Sequence, residues 1–276
     1  MEKRASSQNA LSKLIMPMFL AIAVLSTGCI ACNKNAFDKC GSTSLKSAAD
    51  IGTTRHPVLS FGLVLTSHSL TIKECISPIC ADDPVPPVPM VMMSKGSSTV
   101  VGHKDGNTYS LTAAHVCMAP EPGVDSMGRP FPFSYEMKSE LKLVDITGKI
   151  RVATIVDANT KVDICLLVTE GEWGKALDVA EEMPGVGEKV YNVAAPRGVF
   201  SPGMVPLFEG YYSGKDIHGD EFYTIPAAPG SSGSSILNSD GDIVGVVHSA
   251  VREFGNIAVS ANLAVIKDLV DRNIED

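Results

Sequence analysis

No basic stripe runs through this sequence. It holds 23 Lys and Arg against 31 Asp and Glu, a formal charge of −8, so nothing along it could neutralise the phosphates of a nucleic acid partner. There is no P-loop and no glycine fingerprint of a dinucleotide site, which removes the common phosphate-cradling enzymes. No internal repeat of useful length is present. The seven cysteines include no pair of Cys-x2-Cys clusters and the histidines show no metal-ligand spacing, so neither a metal nor any other cofactor is expected. The apolar stretch at 14–25 is interrupted by Pro17 and falls short of the roughly 20 residues a membrane span needs. Aromatic residues are scarce, at 6%. β-Branched residues punctuated by Gly and Pro are many, a balance that suits an all-β fold of closed barrels.

What the amino terminus does have is a targeting pattern. Lys3, Arg4 and Lys13 precede the short apolar stretch, as in the h-region of a cleaved signal. The stretch ends in Leu25-Ser-Thr-Gly28-Cys29, which resembles the lipobox of bacterial lipoproteins, with the leucine one position further from the cysteine than usual. Residues 1–29 are therefore expected to be a signal segment with Cys29 as its lipidation site. The chain would be exported to the periplasm or cell surface and held at a membrane by lipid; ordinary secretion or an uncleaved anchor are the alternatives. Residues 30–56, rich in Asn, Lys, Ser, Thr and Ala, read as a polar tether. Six cysteines remain in an exported chain, an even number that allows disulfides. Cys32 with Cys40 and Cys75 with Cys80 could form local bridges; Cys117 and Cys165 could be buried thiols or pair with each other. A strand pair is expected around 57–75, followed by a stiff proline-rich insertion at 82–89 that acts as a spacer or surface loop.

The chemistry lies in three later segments: Leu111-Thr-Ala-Ala-His115-Val, Val162-Asp163-Ile-Cys-Leu-Leu-Val168 and Pro229-Gly-Ser-Ser232-Gly-Ser. A serine hydroxyl is a poor nucleophile at neutral pH. It needs a base within hydrogen-bond reach and a partner that fixes the tautomer of that base. His115, Asp163 as a buried acid, and Ser232 would fill these roles. Negative charge built on an attacked carbonyl must be received by backbone N–H groups, and Gly230 and Ser232 would supply them from a glycine-bracketed turn. Each segment alone has a bland reading: a packed strand-end histidine, a strand-start cap, a flexible loop. Their co-occurrence in this order, each in a suitable strand or turn context, favours the acyl-transfer site.

In the order His, Asp, Ser these residues resemble the trypsin-like, chymotrypsin-fold serine proteases. The resemblance covers roughly 95–275. Ser97-Ser-Thr-Val-Val-Gly102, the Asp105-Gly106-Asn107 turn and Tyr109-Ser-Leu-Thr112 are similar to the hairpin that leads into the histidine in HtrA-type proteases. The segment 184–198 is similar to the first strand and loop of the second barrel. Asn238-Ser-Asp-Gly-Asp242 is a turn between two strands, and Leu263, Ile266, Leu269 and Val270 share one face of a terminal helix. The resemblance implies two antiparallel six-stranded β-barrels with a C-terminal α-helix, divided as 57–178 and 179–276. It implies a serine endopeptidase acting on protein or peptide substrates through an acyl-enzyme, without a PDZ domain in this stretch of chain.

Departures from the family bear on specificity. Ser231 stands where zymogen-activated trypsins carry an aspartate, so that activation step is not expected. Pro226 stands where secretory trypsins carry the acid that binds Lys or Arg. Pro226, Ala227 and His248 are the candidate substrate-binding residues. Glutamyl endopeptidases use a histidine on the strand of His248, but in a Gly-x-His register, whereas this chain reads Gly245-Val-Val-His248. A one-residue slip turns a side chain to the other face of a strand, so His248 is either a specificity residue or a structural strand histidine. Two rivals remain: a protease fold that binds without turnover, given the unusual Ser-Ser-Gly-Ser-Ser loop, and an esterase acting on non-peptide esters. The usual esterase fold places its triad in a different order.

Overall fold

A computed structural model describes residues 57–75, 89–119, 133–251 and 254–274, without the side chains of residues 74, 75, 89 and 133. The expected signal segment, the lipidation site Cys29, the tether at 30–56, and Cys32, Cys40 and Cys80 lie outside the described residues. So does most of the proline-rich insertion.

The first six strands are β1 (Phe61–Cys75), β2 (Pro89–Lys104), β3 (Asn107–Thr112), β4 (Phe133–Asp145), β5 (Ile150–Asn159) and β6 (Ile164–Glu170). They close into an antiparallel barrel in the order β1-β2-β3-β6-β5-β4. A second barrel, in the order β10-β11-β12-β9-β8-β7, is built from β7 (Lys189–Val193), β8 (Leu207–Lys215), β9 (Glu221–Tyr223), β10 (Ser235–Leu237), β11 (Ile243–Ala250) and β12 (Ala258–Ser260). The molecule is thus the chymotrypsin-like double barrel, finished by the helix α2 (Leu263–Ile274). Closure leaves neither sheet with a free edge.

Local sequence explains several of these elements. Lys104 pairs with Asn107 across the β2–β3 turn, and both residues between them, Asp105 and Gly106, take positive φ of 53° and 73°, as a two-residue hairpin turn requires. The Asn262 side chain accepts the Ala264 N–H at 2.9 Å, a cap for the start of α2. The buried residues of that helix are Leu263, Ile266, Leu269 and Val270. Ile266, Leu269 and Val270 pack with Val101, Leu111 and Leu166 from the first barrel and with Leu237, Ile243 and Val246 from the second, so the helix seals the joint between the two, while Leu263 packs into the core of the second barrel.

One expectation is corrected. Residues 57–75 do not form a strand pair: a 3-10 turn at Pro57–Ser60 leads into the single long strand β1, which pairs with β2 on one side and β4 on the other. After Gly62 the run to Cys75 contains no Gly, Pro, Asn or Asp, and without a turn residue the chain has no place to fold back. Of the two possibilities left open for Cys117 and Cys165, the structure has the disulfide. It ties the short helical turn α1 (Ala114–Cys117) to β6.

A buried ion pair braces the β4–β5 turn of the first barrel. Asp145, at the end of β4, accepts the N–H groups of Thr147 and Lys149 at 2.9 and 3.0 Å and the Arg151 guanidinium at 2.9 Å. The guanidinium lies over the Trp173 ring, 5.4 Å from its centre, a cation–π contact. Burial alone would raise the Asp145 pKa, but these hydrogen bonds outweigh it and hold the carboxyl below its usual range. A depressed pKa stabilises the fold above the unfolded value, near pH 4. That contribution fades as the pH falls through the lower value of the folded state. Asp145→Asn should leave Arg151 buried without its counter-charge and lower the unfolding free energy by about 3 kcal/mol at neutral pH. Urea titrations at pH 7 and pH 3 should show the gap between wild type and variant shrinking on acidification; a gap independent of pH would refute this account.

Candidate active site

The first barrel presents a histidine and a carboxylate side by side. β3 runs into Ala113 and Ala114, both buried, and their small size lets α1 pack tightly while His115 faces outward. The turn before β6 carries Asp163, whose φ is 55°, a left-handed conformation that Asp tolerates better than most residues. Asp163 Oδ2 lies 2.6 Å from His115 Nδ1, and Oδ1 accepts the His115 backbone N–H at 2.8 Å. The carboxylate therefore holds both the ring and the main chain of the same residue. Burial would raise the Asp163 pKa, yet the hydrogen bonds from His115 and the nearby His115 and His248 rings keep it lowered. Asp163 is less buried than the sequence suggested, with its side chain 27% exposed, because it sits in the turn rather than within the strand.

The second barrel contributes the turn at 229–233, between β9 and β10, and each of its carbonyls from Pro229 to Ser232 has a partner. The Pro229 carbonyl accepts the Arg197 N–H at 2.6 Å, and the Gly230 carbonyl accepts the Ser97 hydroxyl at 2.8 Å. The Ser231 carbonyl accepts the Ser234 N–H at 3.0 Å and its hydroxyl at 2.7 Å. The Ser232 carbonyl accepts the Ser97 N–H at 2.8 Å. A trans peptide points its N–H opposite to its C=O, so these bonds also aim the N–H groups of the turn. Those of Ser231 and Gly233 are taken by the Ala228 and Val247 carbonyls. Those of Gly230 and Ser232 have no hydrogen-bond partner among the described residues. Donors left open in this way can receive an oxygen that gains negative charge.

Glycine is required at both ends of this turn. Gly230 has φ of 101°, and a Cβ there would stand 2.5 Å from the Ala195 carbonyl oxygen; Gly233 has φ of 88°, and its Cβ would stand 2.2 Å from the Ser97 carbonyl oxygen. Backbone comes too close at either position for any side chain.

The two halves meet at one cleft of about 690 Å³, lined by His115, Ser232, Gly230, Ser231 and Lys95, with Ala227, Ala228, Val247, Ala250 and Val251 among its other walls. Of the candidate substrate-binding residues, Ala227 lines it, whereas Pro226 and His248 do not. Strand alternation explains His248: Val247 faces the cleft, so its neighbour turns away. His248 instead lies within electrostatic reach of Asp163, Asp220 and His115. Burial disfavours its charged form and its pKa is lowered, despite the opposing pull of both carboxylates and the Ser260 backbone. Among the described residues, no three His, Cys, Asp or Glu side chains converge on a point where a metal could bind.

Sequence reasoning missed Ser97, Arg197 and Ser234 as supports of this turn, as well as Asn192, whose amide donates to the Ser234 hydroxyl at 2.8 Å and the Ser235 carbonyl at 2.9 Å. Ser97, Asn192 and Arg197 come from distant parts of the chain and Ser234 lies just past the turn, and no local pattern marks any of them as a support.

Comparison with known proteins agrees with this architecture. No curated protein sequence matches the chain. Among solved structures, a serine endoprotease from Yersinia pestis is similar, with a TM-score of 0.52 and 15% identity over 77% of this chain and 63% of that one. This chain therefore spans less than two thirds of the length of that protein. A protease from M. tuberculosis in its active form is similar, with a TM-score of 0.52 and 15% identity over 78% of this chain and 80% of that one. At such identity the likeness is one of fold. The family model of the trypsin-like peptidase domain matches residues 96–246, a stretch that includes His115, Asp163 and Ser232 and more than half of the sequence, and the chain belongs to that family.

Proposed function

We propose that this peptidase is a serine endopeptidase that works through Ser232, His115 and Asp163. One observation carries the reading: a single cleft holds Ser232, a histidine fixed at two points by a carboxylate, and two backbone N–H groups without partners among the described residues. His115 Nε2 takes the proton of the Ser232 hydroxyl as its oxygen attacks the peptide carbonyl. Asp163, bonded to Nδ1, fixes the tautomer and stabilises the imidazolium. The carbonyl oxygen becomes an oxyanion between the Gly230 and Ser232 N–H groups. His115 then gives its proton to the leaving amine as the C–N bond breaks, and water repeats the sequence on the acyl-enzyme.

The cleft walls favour an uncharged residue on the acyl side of the cleaved bond. Ala227, Ala228, Val247, Ala250 and Val251 offer apolar surface and no carboxylate, so burial of an aliphatic side chain supplies the binding energy. On the pattern of residues 1–29, the enzyme is placed outside the cytoplasm and held to a membrane through Cys29. Globomycin treatment of expressing cells would test that placement: a failure to accumulate the unprocessed precursor would count against lipidation.

Three measurements test the catalytic reading. A fluorophosphonate probe should label the folded wild-type protein at Ser232, and neither Ser232→Ala nor His115→Ala should react; unlabelled wild type would instead favour a fold that binds without turnover. Asp163→Asn should keep the fold, since Asn also tolerates the left-handed conformation. It would present an amide to Nδ1, leave Nε2 protonated and unable to act as base, and lower kcat by about 10⁴-fold. A kcat within tenfold of wild type would remove Asp163 from its role. Finally, a peptide amide library should give its highest kcat/KM with Val, Ile or Leu before the cleaved bond; a preference for Lys, Arg or Glu there would overturn the apolar assignment.

A further inference from the structure

The least expected feature of the cleft is what stands behind it. Ser97, wholly buried on β2 of the first barrel, uses its polar atoms to join three separate parts of the molecule. Its N–H donates to the Ser232 carbonyl at 2.8 Å and its hydroxyl donates to the Gly230 carbonyl at 2.8 Å. The same hydroxyl oxygen accepts the Ala195 N–H of the second barrel at 3.0 Å, and the Ser97 carbonyl accepts the Thr112 hydroxyl at 2.9 Å, three residues before His115. No other side chain among the described residues bonds the Gly230 carbonyl.

We propose that Ser97 is a positioning residue for the oxyanion turn: it holds the Gly230–Ser231 and Ser232–Gly233 peptides, which alternate with the two peptides that carry the Gly230 and Ser232 N–H groups, and so keeps those N–H groups turned toward the cleft. Gly230 sits at positive φ with no side chain to restrain it, so the peptide between Gly230 and Ser231 is fixed by its hydrogen bonds, from the Ser231 N–H to the Ala228 carbonyl and from Ser97 to the Gly230 carbonyl. Arg197 holds the peptide before it and Ser234 the one after it. Ser97 holds the peptide between them and, through its N–H, the one that follows Ser232. Without the hydroxyl, the buried Gly230 carbonyl and the buried Ala195 N–H both lose their partner. Such groups are strongly driven to find another. A carbonyl that turns to find one also pulls the Ser231 N–H off the Ala228 carbonyl, and the two neighbouring peptides, which carry the Gly230 and Ser232 N–H groups, lose the anchor between them. Ser97 touches no substrate; it acts through Gly230 and Ser232.

This inference rests on Ser232 being the nucleophile, and the experiment separates the two. Wild type, Ser97→Ala and Ser97→Cys would be compared after titrating active sites, so that misfolded protein does not enter kcat. A peptide amide substrate, a peptide boronate that mimics the tetrahedral adduct, and the product peptide would be measured on each. We expect Ser97→Ala to lower kcat per titrated site by about 10- to 100-fold, less than loss of an oxyanion donor itself. KM and product-peptide affinity should stay within about threefold, and boronate affinity should fall in step with kcat. The near-isosteric Ser97→Cys, a weaker donor, should fold and fall between the two. The inference is overturned if kcat per site is unchanged in either variant. It is equally overturned if boronate and product affinities fall together, because a merely structural loss would weaken both. A wild type that turns over no peptide overturns the serine endopeptidase reading itself.

Discussion

The pinned turn from Pro229 to Gly233 is the constraint on which the rest of the molecule depends. Its four carbonyls from Pro229 to Ser232 are held by Arg197, Ser97 and Ser234, and these residues belong to both barrels. Only a complete double barrel can bring them together. The tight packing around Gly230 and Gly233 follows from the same requirement. Backbone from the first barrel at Ser97, and from the second at Ala195, must come within bonding distance of the turn, which leaves no room for a Cβ. Hydrogen bonds that in another loop would only stabilise a bend here decide which way two N–H groups face.

A second set of restraints, within the first barrel, orients His115. His115 and Asp163 are joined at ring and backbone, and two residues beyond each of them the Cys117–Cys165 disulfide joins the same two segments again. The closed loop between the cysteines loses entropy in the unfolded chain. Locally the bridge keeps α1 against the start of β6, so the His–Asp pair is not held by one hydrogen-bonded contact alone. The left-handed backbone at Asp163 fits this picture. Strain of that kind persists where surrounding contacts over-determine the conformation.

His248 shows how a one-residue difference in register changes a role. On β11 the face toward the cleft belongs to Val247, and His248 is directed to the side of Asp163 and Asp220. The same strand therefore gives the cleft an apolar wall and places an imidazole among the groups around the Asp163 carboxylate. Among the described residues that line the cleft, only His115 and Lys95 carry titratable side chains.

By itself the sequence determined a good deal, because some information is local. Alternating apolar residues, the Asp105-Gly106 turn and the apolar face of α2 depend on near neighbours, so strands and a final helix were legible, while their arrangement as a double barrel followed from the resemblance to trypsin-like proteases. So was the association of a histidine after a strand, an acid before one and a serine in a glycine-bracketed turn. What only the tertiary structure decided is non-local. A single strand replaces the expected pair at 57–75 because the partners of β1 are fixed by barrel closure, including β4, far along the chain. The choice between thiols and a disulfide for Cys117 and Cys165 depended on how close α1 comes to β6. The supports of the oxyanion turn could not be read at all: Ser97, Ala195 and Gly230 are separated by more than 30 residues in each case, and a hydrogen bond across that separation leaves no periodicity, spacing or composition in the sequence to mark it.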